Sequence, residues 1–336
     1  MPRLAPSLFR QARKQISPFA PLLLPVCRTL DSTANELRWI KEHVNSTDSL
    51  VPRKLGIWQA CLKREKGIPL QYILGNQPFG PLDILCKPGV LIPRPETESI
   101  ITHLTTLLPF SSSPLKILDL CTGTGCIPLL IASLLPSTSQ TLGVDISPLA
   151  ISLSRQNLSH NISLSHLPLS ASKSITFTKS DIFSSSSLSS LPFSPGELDI
   201  LTSNPPYISP AGFNKNTERS VRLYEPKLAL VPDVNLGKGY DCLPEDVFYA
   251  RLLEIVSVLQ PKRVLFEVGD VEQARRVAEM VVTGGELKNY AGTVEIWRDN
   301  PEGEEKERIS LRNNGEEVEV KGRGNGRGVY FWRKDC

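Results

Sequence analysis

Leu115-Lys-Ile-Leu-Asp-Leu-Cys-Thr-Gly-Thr-Gly125 is the stretch on which the reading of the fold turns. A short apolar run is followed by a turn with two glycines, and then by the apolar stretch Ile127 to Leu135. Buried strand, glycine turn and helix form a nucleotide-binding unit, in which glycines let the backbone approach a ligand. A nicotinamide-dinucleotide fingerprint has a third glycine three residues after the second. Pro128 stands there instead. Asp119, near the strand end, suits a ligand with a cationic ammonium group, such as S-adenosylmethionine. Asp119, Cys121, Thr122, Gly123, Thr124 and Gly125 are therefore the first candidate cofactor residues.

Two further strands come next. Thr141-Leu-Gly-Val-Asp145 ends in an acid 20 residues past Gly125. An acid there can accept hydrogen bonds from both ribose hydroxyls of an adenosine ligand, whichever cofactor carries it. Ile175 to Lys179 leads into Ser180-Asp181-Ile182-Phe183. Asp181 and Ile182 suit an adenine ring; the alternative for Asp181 is a turn or helix-capping residue.

A fourth strand, Glu197 to Thr202, runs into Ser203-Asn204-Pro205-Pro206-Tyr207. Two prolines stop the strand and stiffen the backbone on either side of them. The Asn204 oxygen and the Pro205 carbonyl can both accept hydrogen bonds from one NH2 group. That aims a weakly nucleophilic, planar nitrogen at an incoming methyl group and favours the charge that develops on it. Tyr207 can cover the flat face of the acceptor. Asn204, Pro205, Pro206 and Tyr207 are the candidate catalytic residues, and Asn204 also borders the cofactor.

Taken together, Asp-x-Cys-Thr-Gly-Thr-Gly, Asp145, Ser-Asp181 and Asn-Pro-Pro-Tyr resemble the HemK/PrmC family, methyltransferases that modify a glutamine of protein release factors. Gln71 to Gly75, the Leu91-Ile-Pro-Arg-Pro-Glu-Thr-Glu98 segment, Tyr224-Glu-Pro226 and Leu228-Ala-Leu230 extend the resemblance, which spans about 71–282 with a weaker end near Arg327. It implies S-adenosylmethionine as cofactor. It implies as partner a class I release factor, methylated on the glutamine amide of a Gly-Gly-Gln loop. The chain departs from the pattern at Cys121, where relatives usually have glycine, at Ile182, where some have an aromatic residue, and at Gly239 to Leu243, a less glycine-rich loop. Arg94 and Glu98 either face the cleft or merely begin a helix.

The 336 residues carry a formal charge of +3 and 40% hydrophobic residues, which fits one large and one small domain. No apolar run reaches the ~18 residues of a membrane span. Seven irregularly spaced cysteines argue against a disulfide framework. Cys121 and Cys126 read as small buried hydrophobes rather than zinc ligands. Residues 1–30 carry Arg3, Arg10, Arg13, Lys14 and Arg28 and no acid. That composition predicts a mitochondrial transit peptide, removable without loss of activity, and a matrix location. Residues 31–67 are expected to form a helical substrate-recognition domain, and 68–93 a β-hairpin linker. Residues 94–336 would form a seven-stranded, mostly parallel, Rossmann-like α/β methyltransferase domain. Ser-rich 163–194 is expected as enlarged loops, and 300–325 as a mobile low-complexity insertion.

The chain is expected to be a monomer without direct nucleic-acid contacts. An adenine amino-methyltransferase is the main alternative, since that nitrogen is also planar and poorly nucleophilic. It would need a sizeable basic recognition region, whereas the inserts here are Ser-rich or mixed in charge. A non-catalytic adenosine sensor is disfavoured by the intact Asn204 and Tyr207.

Overall fold

The computed structural model describes residues 3–47, 50–108, 114–135, 140–184, 191–312 and 315–334. It begins with helices α1 (Pro6–Gln11), α2 (Ala20–Cys27), α3 (Leu30–Ser46) and α4 (Arg53–Glu65), with a π-helical turn, Ala12–Ile16, after α1. Arg28 takes a left-handed conformation that ends α2, and the Thr29 hydroxyl caps α3 by accepting from the Ser32 amide. Ala12, Ala20, Leu23 and Leu24 pack fully buried against Leu37, Ile40 and Cys61. Arg64 grips the Glu36 carboxylate with two hydrogen bonds, 2.7 and 2.8 Å, and locks α4 to α3.

This corrects the boundary expected at Asp31. The basic segment is part of the helical unit's core, because its apolar residues complete a surface that α3 and α4 cannot bury alone. The charged residues Arg3, Arg10, Arg13 and Lys14 stay on the outside.

The linker also differs from expectation. Residues Leu70–Leu74 form a short helix, α5, closed by Gly75 at φ 85°, and only then come β1 (Asn76–Phe79) and β2 (Leu82–Leu85). The hairpin is fastened to helix α8 (Pro148–Ser163) by two buried asparagines. Asn161 Oδ1 accepts from the Asp83 amide and Asn157 Oδ1 from the Leu85 amide.

Helix α6 (Pro95–Thr106) precedes the main sheet. Its strands are β3 (Lys116–Leu120), β4 (Gln140–Asp145), β5 (Ile175–Lys179), β6 (Ile200–Ser203), β7 (Arg263–Glu267), β8 (Ala291–Asn300), β9 (Lys306–Ser310), β10 (Glu317–Lys321) and β11 (Arg323–Arg333). The nine run in the order β5-β4-β3-β6-β7-β11-β8-β10-β9. β3 to β7 are mutually parallel, and β11 inserts antiparallel between β7 and β8. The inner parallel strands β3, β4, β6 and β7 are buried along most of their length because helices cover both faces, whereas the edge strand β5 alternates buried and exposed residues.

Within the insertion expected at 300–325, the described residues form two further strands, β9 and β10, and the start of β11. Val318 and Val320 alternate with charged residues, the period of a half-buried strand, and join the core with Leu311. β10 pairs with β8, and β9 is the outermost strand, with most of its residues exposed. In the Ser-rich region, α8 extends to Ser163, a four-residue helix spans Ala171–Ser174, and 185–190 lie outside the described residues.

The chain moves outward from β3 through β4 to β5, then returns to β6 on the other side of β3. Ligands bind outside the carboxyl ends of the strands at such a reversal.

Candidate active site

A cavity of about 360 Å³ opens at that reversal, a size within the usual range for small-molecule sites. Cys121, Thr122, Gly123, Thr124, Asp145, Asp181, Ile182, Asn204 and Pro206 line it. Asp119, Gly125, Pro205 and Tyr207 are not among the residues that line it.

The turn after β3 bends through three left-handed residues, Cys121 at φ 63°, Gly123 at φ 55° and Gly125 at φ 78°. It is held to β4 by the Thr122 amide, which donates to the Val144 carbonyl at 2.9 Å. Gly125 starts helix α7 (Cys126–Leu134), and a β-carbon there would lie 2.9 Å from Ser154 Cβ and 3.0 Å from Phe177 Cζ. At Gly123 a β-carbon would meet nothing within 4 Å. Gly125 is thus required for packing and Gly123 for backbone angle. Gly125→Ala should cost about 2–3 kcal/mol of stability and Gly123→Ala about 1. Urea melts compare the two, and equal losses would contradict this division.

Cys121 carries the same backbone angle without being glycine, and burial pushes its thiol well above the ordinary range. Burial likewise pushes Cys126 up to about 12. Both therefore remain protonated, poor nucleophiles at neutral pH.

Asp145 ends β4 with its carboxylate anchored on both sides. Oδ2 accepts from the Gly123 amide and Oδ1 from the Ser147 amide, each at 2.9 Å. Burial raises its pKa, while these amides favour the charge. Each oxygen keeps a further lone pair for a ligand hydroxyl. Asp145→Ala should weaken cofactor binding by about 1.5–3 kcal/mol, the range for hydrogen bonds to a charged group. Calorimetric titration measures it, and unchanged affinity would remove Asp145 from the site.

Asp119 is wholly buried beneath the turn. Its Oδ1 accepts from the Thr202 hydroxyl at 2.7 Å, and burial pushes the carboxyl up to about 7. A nearby cation would restore its charge. Asp181 is exposed and accepts from the Phe183 amide at 3.0 Å, so the turn role and the pocket position coexist in one residue. Ile182 supplies an apolar floor. Phe183 and Phe248 meet edge to face, with ring centroids 5.0 Å apart, and both line the cavity. These two rings supply the aromatic surface that Ile182 lacks.

Asn204 comes directly after β6. The Ser203 hydroxyl donates to the Leu120 carbonyl at 2.8 Å, fixing the strand end beside the glycine turn. The Asn204 amide nitrogen points back to the Thr97 hydroxyl at 3.5 Å. Tyr207 does not line the cavity. Its ring rests near Gly269, where a β-carbon would approach Cδ2 to 3.1 Å, and its hydroxyl is 3.5 Å from Glu267 Oε1. Gln273 holds the Tyr207 backbone by donating to its carbonyl at 3.2 Å.

The facing wall comes from Val90 to Arg94 and from Leu228, Asp233, Asn235 and Leu236. Glu225 joins its two halves, accepting from the Ile92 amide at 3.1 Å and from Arg94 at 2.8 Å. Arg94 therefore faces the cleft, whereas Glu98 does not line it. The neighbouring Tyr224 hydroxyl donates to the Lys66 carbonyl at 3.0 Å, linking this wall to the helical unit.

Asn157 and Phe248 were not among the sequence candidates. Asn157 Nδ2 donates to the Thr124 carbonyl at 2.9 Å and so supports the glycine turn from α8. Its only sequence signal is that it falls, with Ser154 and Asn161, at helical spacing among the apolar Ala150, Leu153 and Leu158.

These features fit S-adenosylmethionine: an acid for the ribose, an apolar and aromatic slot for adenine, and a buried acid beneath the turn.

No family model matches the chain. It is 40% identical over 288 residues to the mitochondrial MRF1 N(5)-glutamine methyltransferase MTQ1 of Saccharomyces cerevisiae, covering 84% of this chain and 80% of that one. It is 34% identical to the release factor glutamine methyltransferase of Bifidobacterium longum, covering 67% and 71%. The corresponding Aliivibrio fischeri protein is also 34% identical, covering 65% and 69%. Among solved structures, the N-terminal domain of human METTL16 in complex with SAH aligns over 80% of this chain and 82% of its own, at TM-score 0.45 and 14% identity. With two-thirds or more of each of these curated relatives covered at such identity, the chain belongs to the release factor glutamine methyltransferase family, the HemK/PrmC enzymes.

Proposed function

We propose that this enzyme methylates the side-chain amide nitrogen of glutamine in the Gly-Gly-Gln loop of a class I mitochondrial release factor. The observation that carries the reading is the Asn204 amide, which lines the cofactor cavity with its nitrogen turned backward. Its oxygen is thereby left to accept from an acceptor NH2.

S-Adenosylmethionine supplies, when bound, a methyl group made electrophilic by its positively charged sulfur. Asp145 and the glycine turn hold the adenosine end. Asn204 and the Pro205 carbonyl orient the acceptor nitrogen, so that its lone pair lies along the line of attack. A nitrogen–carbon bond forms as the carbon–sulfur bond breaks, and the nitrogen then releases a proton to water. No strong base is needed, because the amide becomes acidic as the bond forms. Most of the rate therefore comes from positioning and exclusion of water.

The helical unit supplies binding energy away from the reacting atom. The enzyme acts as a monomer without nucleic acid, in the mitochondrial matrix. The exposed Arg3, Arg10, Arg13 and Lys14 support import, and a reporter fused to residues 1–30 that stays in the cytosol would refute the location.

Purified enzyme with labelled S-adenosylmethionine should label intact release factor rapidly, a short Gly-Gly-Gln peptide slowly, and free glutamine hardly at all. Equal rates on factor and peptide would remove the recognition role of the helical unit. Label on DNA adenine instead would overturn the acceptor.

A further inference from the structure

Behind Asn204 lies a two-step hydrogen-bond chain that ends on a buried carboxylate. Glu267 closes β7, the parallel neighbour of β6, so its side chain emerges beside the Asn-Pro-Pro-Tyr segment. Its Oε2 accepts from the Thr97 hydroxyl at 2.6 Å. Thr97, in the first turn of α6, is 2% exposed and lines the cavity. The same hydroxyl oxygen faces Asn204 Nδ2 at 3.5 Å.

A hydroxyl has one proton to give. Once Thr97 has given it to the carboxylate, only lone pairs remain toward Asn204, and only the NH2 end of that amide can meet them. The two ends of an asparagine amide have nearly the same shape, so packing does not choose between them. The Asn204–Thr97 contact is long at 3.5 Å, and its worth lies in the difference between the two orientations, since a reversed amide would set its oxygen against the Thr97 lone pairs.

We propose that Glu267 and Thr97 are positioning residues that fix which end of the Asn204 amide faces the acceptor. They thereby make the site accept a nitrogen that carries hydrogen. The proposal rests on the methyl-transfer reading above. A reversed Asn204 would point NH2 at NH2 and lose both the aim and the charge stabilisation.

The relay has a pH signature. Burial pushes the Glu267 carboxyl up to about 7; Thr97, Arg327 and Arg94 pull it down and Glu96 pushes it up. The Tyr207 hydroxyl also faces it, at Oε1, and the Tyr249 hydroxyl donates to its backbone carbonyl at 2.7 Å. Ionised Glu267 can only accept. Protonated, it can donate to Thr97, whose own proton is then free to turn toward Asn204. Transfer should therefore fall as pH drops through about 7.

The test measures transfer to intact release factor at saturating cofactor, from about pH 6 to 9, for wild type, Thr97→Val, Thr97→Ser and Glu267→Gln. Thr97→Val should lower kcat about tenfold to a hundredfold, with KM and cofactor affinity changed less than about threefold. Thr97→Ser should recover most of the rate. The low-pH limb should persist in wild type and Thr97→Ser and vanish in Thr97→Val and Glu267→Gln. A wild-type rate in Thr97→Val, a serine variant as slow as the valine one, or a low-pH limb surviving in Thr97→Val would each overturn the relay. If thermal melting shows Glu267→Gln unfolded, the two Thr97 variants carry the decision. Failure of the wild type to label the factor would count against the proposed acceptor, and the same variant ratios would then be read on the acceptor it does label.

Discussion

Asn204→Ala is expected to lower the transfer rate about a hundredfold to a thousandfold, the loss seen when one positioned charge-stabilising partner is removed. Cofactor affinity should change far less, because Asp145, the glycine turn and the Phe183–Phe248 slot remain. Two features make the loss large. The backbone at Asn204 is fixed by β6 and by the two prolines after it, so no neighbouring residue can move in as a substitute. Pro205 also has no N–H, so it offers an oxygen acceptor but cannot reorganise into a donor. Single-turnover kinetics at saturating cofactor and factor isolate the step. A mutant rate within about threefold of wild type would mean that the acceptor nitrogen is held elsewhere, because loss of positioning alone costs far more.

The second large effect is expected from removing residues 3–28. As a basic tail, this segment would leave activity intact when cut. In the folded protein it contributes the fully buried Ala12, Ala20, Leu23 and Leu24. Each leucine alone stabilises by roughly 1.5–3 kcal/mol on burial, and small helical units have little stability to spare. The truncated chain should therefore lose helical content in residues 30–65 and expose Leu37 and Ile40 to protease. Transfer to intact factor should collapse, while transfer to a short peptide is largely kept. A truncated chain with wild-type melting and wild-type rate on the factor would show that the segment is dispensable.

The site was legible in sequence where chemistry is confined to short, contiguous motifs. The glycine turn, Asp145, Asp181, Ile182 and Asn204 all come to one cavity because each stands at or just past the end of a parallel strand, and strands of a doubly wound sheet end on one edge. Asp119 and Tyr207 are also legible in the motifs, yet neither lines the cavity: Asp119 is wholly buried, and the Tyr207 ring leans toward Gly269. Phe248, Asn157 and Leu236 were not found, since their roles depend on how distant elements pack.

At both ends of the chain, composition hides the packing for one reason. Arginine-rich or glutamate-rich composition describes the solvent face, and it hides the apolar residues at helix or strand period beneath it. Leu23 and Leu24 are buried in a segment whose only charged residues are basic, and Val318 and Val320 are buried next to Glu317 and Glu319.

The outermost position of β9 has a consequence for the protein in a crowded solution. One side of this strand is satisfied by β10, and the other leaves backbone N–H and C=O groups able to recruit any extended polypeptide. Lys306, Glu307 and Arg308 stand exposed along that border, Lys306 and Arg308 paired across the hairpin with Glu319 and Glu317. An arriving strand would have to dehydrate this row of opposite charges. The segment that enlarges the sheet thus also acts as its gatekeeper against aggregation, at the end of the sheet farthest from the methyl-transfer cleft.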